Sequence, residues 1–578
     1  MLASRSRNPA RGDNIAPRYA VERPTITTRD YTALLHRRPH KMAFPTAGLL
    51  TLAAILALVI VRASRRKSLK FLRGPDAPSR WLGNEHQLFQ QSETGSLDFQ
   101  WMRQYGSTWR VRTYFGTEQL MTADPKALQH ILQRSSYNYP KRIDMNTLTL
   151  LQLGPGILWA EGSMHQRHRK VMNPAFSAQQ LRTFIPLFQV TATKIIGKWK
   201  AQISDRPDSV VLINKWLARG ALDIIGQAAF DYNFGALDDT ENPLAKEYST
   251  IINDTQLYPT PARMLYRGLW QYLPEAVLKL IKYTPARVYR RLSNLNEMFK
   301  DIGRPLYHSN ASEGSASHDG KRDVMSVLVK ANNSENARLR LGEEEILAQM
   351  HHLTAAGQET TSGTLSWMLY ELAKHPEYQV RIREEIRAIR AVVVERGDAA
   401  FTPEDLDGMK YTLAAIKETL RFHPIAYHIW RYAAKDDVIP LSDPVTGADG
   451  TVISEIPVSA GLPIIISICG YNRLPHVWGD DADQWKPERF FRLDSEKQVK
   501  VGVYANLMSF SAGVRGCIGW RFALYQLQAV AAELLETFDF ALPKDQPHIK
   551  RAPAAVMVPI IEGKEELGPA MPLRVSLA

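Results

Sequence analysis

The stretch FSAGVRGCIG, Phe510 to Gly519, holds Cys517, one of only two cysteines in 578 residues. Behind it Trp520, Leu524, Leu527, Ala531, Leu534 and Phe538 repeat at helical spacing on one stripe, which predicts a buried helix opening just after the cysteine. The free N–H groups and positive dipole end of such a helix favour a thiolate, lowering the Cys517 pKa from a free value of about 8.5. Gly513, Gly516 and Gly519 remove side chains where a backbone turns tightly or passes close to something flat. Arg515, two residues before the sulfur, is placed to reach a carboxylate beside it. A thiolate on a cleared surface suits the axial position of a haem iron. The plainer alternative is an inert buried cysteine beside a glycine-rich turn.

Composition narrows the field around that segment. Hydrophobic residues make up 45% and charged residues 23%, the profile of a large packed core. Two cysteines supply neither a disulfide framework nor a multi-cysteine metal site, which favours a reducing compartment. The net charge of +13 belongs to one end of the chain: residues 1–73 carry 15 Lys/Arg against 3 Asp/Glu, an excess that accounts for all but one of those charges. Basicity therefore bears on targeting or a membrane surface, and no nucleic-acid partner is expected. Met42 to Val61 is a run of 20 residues without a charge, the length of a membrane-crossing helix. Arg62, Arg65, Arg66, Lys67, Lys70 and Arg73 follow it and predict a cytoplasmic location for the remaining chain. A cleaved signal peptide is the alternative, against which the long apolar run and poor cleavage pattern weigh. The expected organisation is a disordered, arginine-rich extension over 1–41, a transmembrane helix over 42–61, a basic and proline-rich hinge over 62–78 and a single large domain over 79–578. A transit-like peptide and a translation start at Met42 both fit the extension.

Within the body, helical periodicity dominates. Glu343 to Lys374 contains no proline and stops before His375-Pro376, predicting one helix about 48 Å long. Inside it Gly357 weakens the helix, and Thr360 is placed to return a hydrogen bond to the Ala356 carbonyl, so a local opening is expected there. Ser309 to Gly320 reads as a Ser/Gly-rich loop, and Asp436 to Ser467 as short strands split by Pro, Gly and Asp. The fold class is mainly α with a minor β portion. Glu418 and Arg421 lie three apart on an apparent helix, with Arg489 available to complete a buried ionic network. Cys469 reads as a small buried apolar residue.

Four segments then fall in a known order. Phe510, Gly513, Arg515, Cys517 and Gly519 match F-x-x-G-x-R-x-C-x-G, Glu418 and Arg421 match E-x-x-R, Pro487 to Phe490 reads PERF, and Ala356 to Thr361 reads AGQETT. On these motifs the chain, from near Gly74 to its end, resembles the cytochrome P-450 haem-thiolate monooxygenases, and fungal microsomal members in particular. The resemblance implies a cytochrome P-450 fold behind a transmembrane helix and a heme b cofactor with Cys517 as the metal ligand. It implies that Phe510, Gly513 and Gly519 shape the cofactor loop, and that Arg515, Arg431, His165 and Arg169 contact the haem carboxylates. Histidine stands at 165 where the family often has tryptophan. Thr360 and Glu359 are implied as the catalytic proton relay, and Glu418, Arg421 and Arg489 as structural support. The implied activity is oxidation of a lipophilic small molecule with O2 and electrons from a separate NADPH-cytochrome P-450 reductase. Only 61 residues follow Cys517, too few for a flavin domain, and no dinucleotide-binding glycine motif is found. The implied location is the endoplasmic reticulum membrane, single-pass with a cytosolic catalytic domain, and the implied setting is secondary metabolism, with terpenoid oxidation as one case. Two other readings stay open: a haem-thiolate isomerase or dehydratase, and a membrane haem or sterol binding protein without turnover.

Overall fold

The helix Glu343–Lys374 threads the body of the protein. Its start is fixed by the Gly342 N–H, which donates to the Glu345 carboxylate at 2.9 Å, and by three acids in the first turn facing the positive end of the dipole. It ends where His375-Pro376 withdraws the next N–H. Buried residues occupy most of its circumference, so neighbouring elements must approach closely. A Cβ on Gly357 would lie 2.9 Å from Ile225 in the helix Ile213–Phe230, and one on Gly363 would lie 3.0 Å from Ile425. The structure, a computed structural model, describes residues 68–578 apart from 206–208, 239–241, 245–246, 248–256, 285–286, 313–322 and 493–498. The extension over 1–41 and the apolar run Met42 to Val61 lie outside the described residues, among which no helix is long and apolar enough to cross a membrane.

The β portion is small and divided. Strands β1 (Thr108–Arg112), β2 (Glu118–Thr122), β4 (His428–Tyr432) and β7 (Pro463–Ser467) form a sheet in the order β1-β2-β7-β4, with β2 and β7 parallel and the other pairs antiparallel. The register sets Arg431 opposite Ile464 and His428 opposite Ser467. β3 (Val210–Leu212) and β8 (Phe538–Ala541) flank β11 (Pro572–Leu577), while β5 (Asp437–Thr446) pairs with β6 (Val452–Val458) and β9 (Ile549–Pro553) with β10 (Met557–Ile561). The strands expected between Asp436 and Ser467 are thus β5, β6 and β7.

Three local expectations are corrected. The long helix stays α-helical through 356–361, so the opening at Gly357 is absent; the Thr360 hydroxyl does donate to the Ala356 carbonyl, at 2.6 Å, but the close packing of Ile225 supports the turn. Phe538 does not complete the stripe of the helix Trp520–Thr537 but opens β8, paired with Leu577. Residues 309–312 belong to the helix Arg287–Ser312, and 313–320 of the expected loop lie outside the described residues. At the other end, residues 68–78 pack on the body: Leu69 and Leu72 are buried, Arg110 N donates to the Arg73 carbonyl at 3.0 Å, and a Cβ on Gly74 would stand 1.9 Å from the Arg110 carbonyl oxygen.

Candidate functional site

Cys517 sits two residues before Gly519, the residue preceding the helix Trp520–Thr537. Its N–H donates to the Phe510 carbonyl at 2.9 Å, closing the loop on itself. Gly513 has φ 63°, and a Cβ there would lie 1.9 Å from the Leu132 carbonyl oxygen, so this glycine is required by the approach of another backbone segment. The Cys517 side chain is exposed, yet it lies deep within the protein, which puts an internal space next to the sulfur. The expected lowering of its pKa is not found. Burial raises the thiol above its ordinary value, and the Gly519 N–H and the Arg169 guanidinium recover only part of that cost.

Basic side chains crowd the same region. Arg169 donates to the Gly516 carbonyl at 3.0 Å. Arg515 pairs with Glu161, contacts the Ala160 carbonyl at 3.4 Å and stands 5.2 Å from the centre of the Tyr137 ring. Lys141 donates to the Ala160 carbonyl at 2.9 Å and lies 3.3 Å from Glu161; its backbone is bridged to Arg431. The buried Arg431 makes a 3.1 Å bond to the Trp430 carbonyl and leaves Nε without a partner. His165 is hydrogen-bonded to the Tyr137 hydroxyl at 3.1 Å. Burial lowers Lys141 to about 7 against the pull of Glu161, with Arg515 and Arg431 adding to the shift, and it lowers Arg431 to about 10, Arg515 again adding. His165 falls to about 3 through burial and the surrounding cations, so it is neutral.

Arg515 and Lys141 thus share one carboxylate, Glu161, while Arg169 and Arg431 have no ion pair among the described residues. A buried excess of this size calls for anions from outside the chain. A haem brings two carboxylates, and with the accessible sulfur close by the donor set fits that group. Sequence reasoning named Arg515, Arg431, His165 and Arg169, which the structure brings together. It missed Lys141, Glu161 and Tyr137, because nothing in their local spacing announces a partner some 290 residues or more further along.

On the long helix, Ala356 is exposed although Leu353, Thr354, Gln358 and Thr361 around it are buried, marking an internal space on that face. Thr360 lies one turn further on. Glu359 has no ion-pair partner among the described residues, and burial raises it to about 7. Support comes from a fully buried pair: Arg421 Nε and Nη2 donate to Glu418 at 2.8 and 2.7 Å, and the remaining N–H groups reach the carbonyls of Asn472, Ala482 and Gln484 at 2.7 to 2.9 Å. Arg489 Nε lies 3.5 Å from Glu418.

Cys469 is buried as expected, but its surroundings are polar. Asp98 accepts from His428 Nε2 at 2.6 Å and from Ser467 Oγ at 2.5 Å, with Ser467 Oγ 3.6 Å from the sulfur. Burial and the Asp98 carboxylate hold the Cys469 thiol far above its ordinary pKa. The potential ligand atoms of Asp98, His428 and Cys469 lie within 4.8 Å of one another; His428 Nε2 and Asp98 Oδ1 are bonded to each other, while Asp98 Oδ2 and His428 Nδ1 have no hydrogen-bond partner among the described residues. A thiolate is favoured at Cys517 over Cys469.

Comparison with known proteins agrees. The family profile described as Cytochrome P450 matches residues 73–565. "Cytochrome P450 monooxygenase 81" of Postia placenta is 34% identical over 550 residues, covering 92% of this chain and 97% of that protein. "Ganoderic acid synthetase CYP5150L8" of Ganoderma lucidum is 34% identical over 542 residues, covering 90% and 96%. "Cytochrome P450 monooxygenase claQ" of Ampulloclitocybe clavipes is 29% identical over 534 residues, covering 90% and 96%.

Proposed function

The chain belongs to the cytochrome P450 family, and from that premise we propose that Cys517 is the thiolate ligand of its haem, with Arg515, Arg431, Arg169, His165 and Lys141 around the haem carboxylates. The protein is a haem-dependent monooxygenase that takes a small-molecule substrate, O2 and electrons from a redox partner. Haem held by a thiolate supplies the oxygen chemistry: one atom of O2 enters the substrate and the other leaves as water. The chain's own residues do the rest. Neutral His165 offers an N–H to a carboxylate oxygen, and the arginines neutralise the buried charge. Glu359, poised near neutrality by burial, holds a proton one residue from Thr360, whose hydroxyl faces the space beside Ala356. Phe510, Gly513 and Gly519 shape the loop around the sulfur.

The observation that carries this reading is the accessible sulfur beside Arg169, Arg431, Arg515 and Lys141, of which only the last two have a carboxylate partner among the described residues. We place the activity on a lipophilic compound in fungal secondary metabolism, in line with the relative named for ganoderic acid, and terpenoids are one such class. We place 42–61 as a transmembrane anchor in the endoplasmic reticulum and the body of the protein in the cytosol, that body taking in residues 68–78 of the expected hinge. The run Met42 to Val61 and the basic cluster behind it support that placement. The test is reconstitution with NADPH and a P-450 reductase against a panel of lipophilic compounds: substrate-dependent NADPH oxidation with oxygenated product supports the reading, whereas product formed from an organic peroxide without reductase would replace it with an isomerase or dehydratase.

A further inference from the structure

The helix Pro261–Trp270 turns Met264, Gly268 and Trp270 inward and leaves Tyr266 and Leu269 exposed. Arg267 belongs to its inward face. A Cβ on Gly268 would meet the Tyr114 ring at 2.5 Å, so the helix packs its backbone directly on that ring. Arg267 is more than nine-tenths buried, yet its single hydrogen bond among the described residues is to the Met145 sulfur at 3.0 Å, a weak acceptor, and Nε has none. No carboxylate among the described residues pairs with it.

The other buried arginines show how unusual this is. Arg142 is bound by Glu85 and Asp144, Arg383 by two carbonyls and Asp539, and Arg421 by Glu418 and three carbonyls. Arg473 reaches a carbonyl and a ring, and Arg489 is held by Asp481 and Glu418. Arg431, Arg473 and Arg489 also leave Nε without a hydrogen bond, but Arg473 has Asp483 at 3.6 Å, Arg489 has its two carboxylates, and Arg431 faces the cofactor's carboxylates in the reading above. Glu85 and Asp144 share the surroundings of Tyr114 with Arg267, but their oxygens are taken by Arg142 and Thr113. Leaving a buried guanidinium short of acceptors is costly unless an anion arrives to complete it.

The location suggests where that anion comes from. Met145 belongs to the helix Ile143–Leu153, whose end at Gly154 is bonded through its carbonyl to His352 Nε2 on the long helix at 3.1 Å. Met145 also packs in one cluster with Tyr114, Met264 and Trp430, and the Trp430 ring centre lies 6.3 Å from that of Tyr427, two residues from the Ile425 that packs on Gly363. These two segments flank the part of the long helix that contains Ala356 and Thr360. We infer that Arg267 is the specificity-determining anchor for a carboxylate on the substrate, so that the molecule oxidised is a lipophilic carboxylic acid. A single cation among aromatic and apolar neighbours suits a monoanionic carboxylate better than a phosphate dianion. This inference rests on the monooxygenase reading of the site.

The test is calorimetric binding of hexadecanoic acid and oleanolic acid, each beside its methyl ester, to the full-length holoenzyme and to Arg267→Met and Arg267→Lys. At least one acid is expected to bind about ten- to a hundredfold more tightly than its ester, a charge-assisted bond's worth. Arg267→Met brings that ratio close to one and Arg267→Lys keeps part of it. Acid and ester binding alike in the unaltered protein, a comparison that needs no variant to fold, overturns the inference, as does a ratio untouched by Arg267→Met. An acid-to-ester ratio near one alongside NADPH-dependent oxygenation sinks Arg267 alone. Absence of the thiolate carbon monoxide spectrum sinks the Cys517 reading, while the calorimetric ratio still decides Arg267.

Discussion

At the scale of single residues, two cysteines offer a direct contrast. Cys517→Ser should abolish the thiolate-specific absorbance of the reduced carbon monoxide complex, while Cys469→Ser, confined to the Asp98 network, should leave it intact; the reverse pattern would move the ligand to Cys469. Thr360→Ala should retain haem yet release peroxide, with product per NADPH falling by a large part of the roughly 10²–10⁴-fold that acid–base assistance contributes. Unchanged coupling would remove Thr360 from the mechanism. Glu359 adds a pH signature. Burial raises its carboxyl to about 7, so the protonated form that donates is lost as pH climbs through that value. Product per NADPH should fall between about pH 6 and pH 8 in the unaltered protein and stay flat in Glu359→Gln. Because the folded form holds its proton longer than the unfolded one, stability falls as pH rises from the unfolded value towards 7 and the full penalty stands above it. Glu359→Gln should therefore raise the melting temperature at about pH 8 and do little at about pH 4.5; an equal effect at both would contradict the shift.

Elements turn these residues into a site, and legibility changes at this scale. Helix bounds were readable where composition punctuates the chain, as at Glu343–Lys374, because a run without proline and a terminal His-Pro are local facts. The Glu418–Arg421 spacing was readable for the same reason. Lys141 and Glu161 were not, since a β-bridge to Arg431 and an ion pair to Arg515 depend on how distant segments meet. The Cys517 pKa was misjudged because the helix dipole is legible in sequence, whereas desolvation is a property of the assembled core. The network around Arg421 is where element-level stability concentrates: Glu418→Ala would strand a fully buried guanidinium, and removing one partner of such a pair costs about 3–5 kcal/mol. Urea midpoints and the rate of haem loss should both register it. A change under 1 kcal/mol would show that the carbonyls of Asn472, Ala482 and Gln484 suffice.

On the proposal that residues 42–61 anchor the whole molecule, the exposed apolar side chains of the described residues become the next to test for contact with lipid. Trp81 is 66% exposed, Leu280 61% and Tyr283 72%, and Leu269 adds to them. Trp81 leans edge-on against Phe115, which meets Tyr272 in the same way, so ring contacts link this end of the chain to the segment just after the helix Pro261–Trp270 and before Leu280 and Tyr283. Exposed aromatics with Lys279 and Lys282 among them match a surface that rests at a lipid interface. The structure also fixes where the chain can be cut. Leu69 is fully buried and its N–H donates to Glu118 at 2.6 Å, so a chain beginning at Leu72 loses a packed residue, whereas one beginning at Ser68 keeps it. The Ser68 chain should bind haem as the full protein does and lose carbonate-resistant membrane attachment. It should still sediment with anionic vesicles at low salt, and replacing Leu280 and Tyr283 with serine should weaken that residual binding several-fold, at about 0.8 kcal/mol per buried methylene lost. Carbonate-resistant binding by the Ser68 chain would show that an element beyond Met42–Val61 is integral, and equal vesicle binding by the serine variant would assign the residual attachment to charge alone.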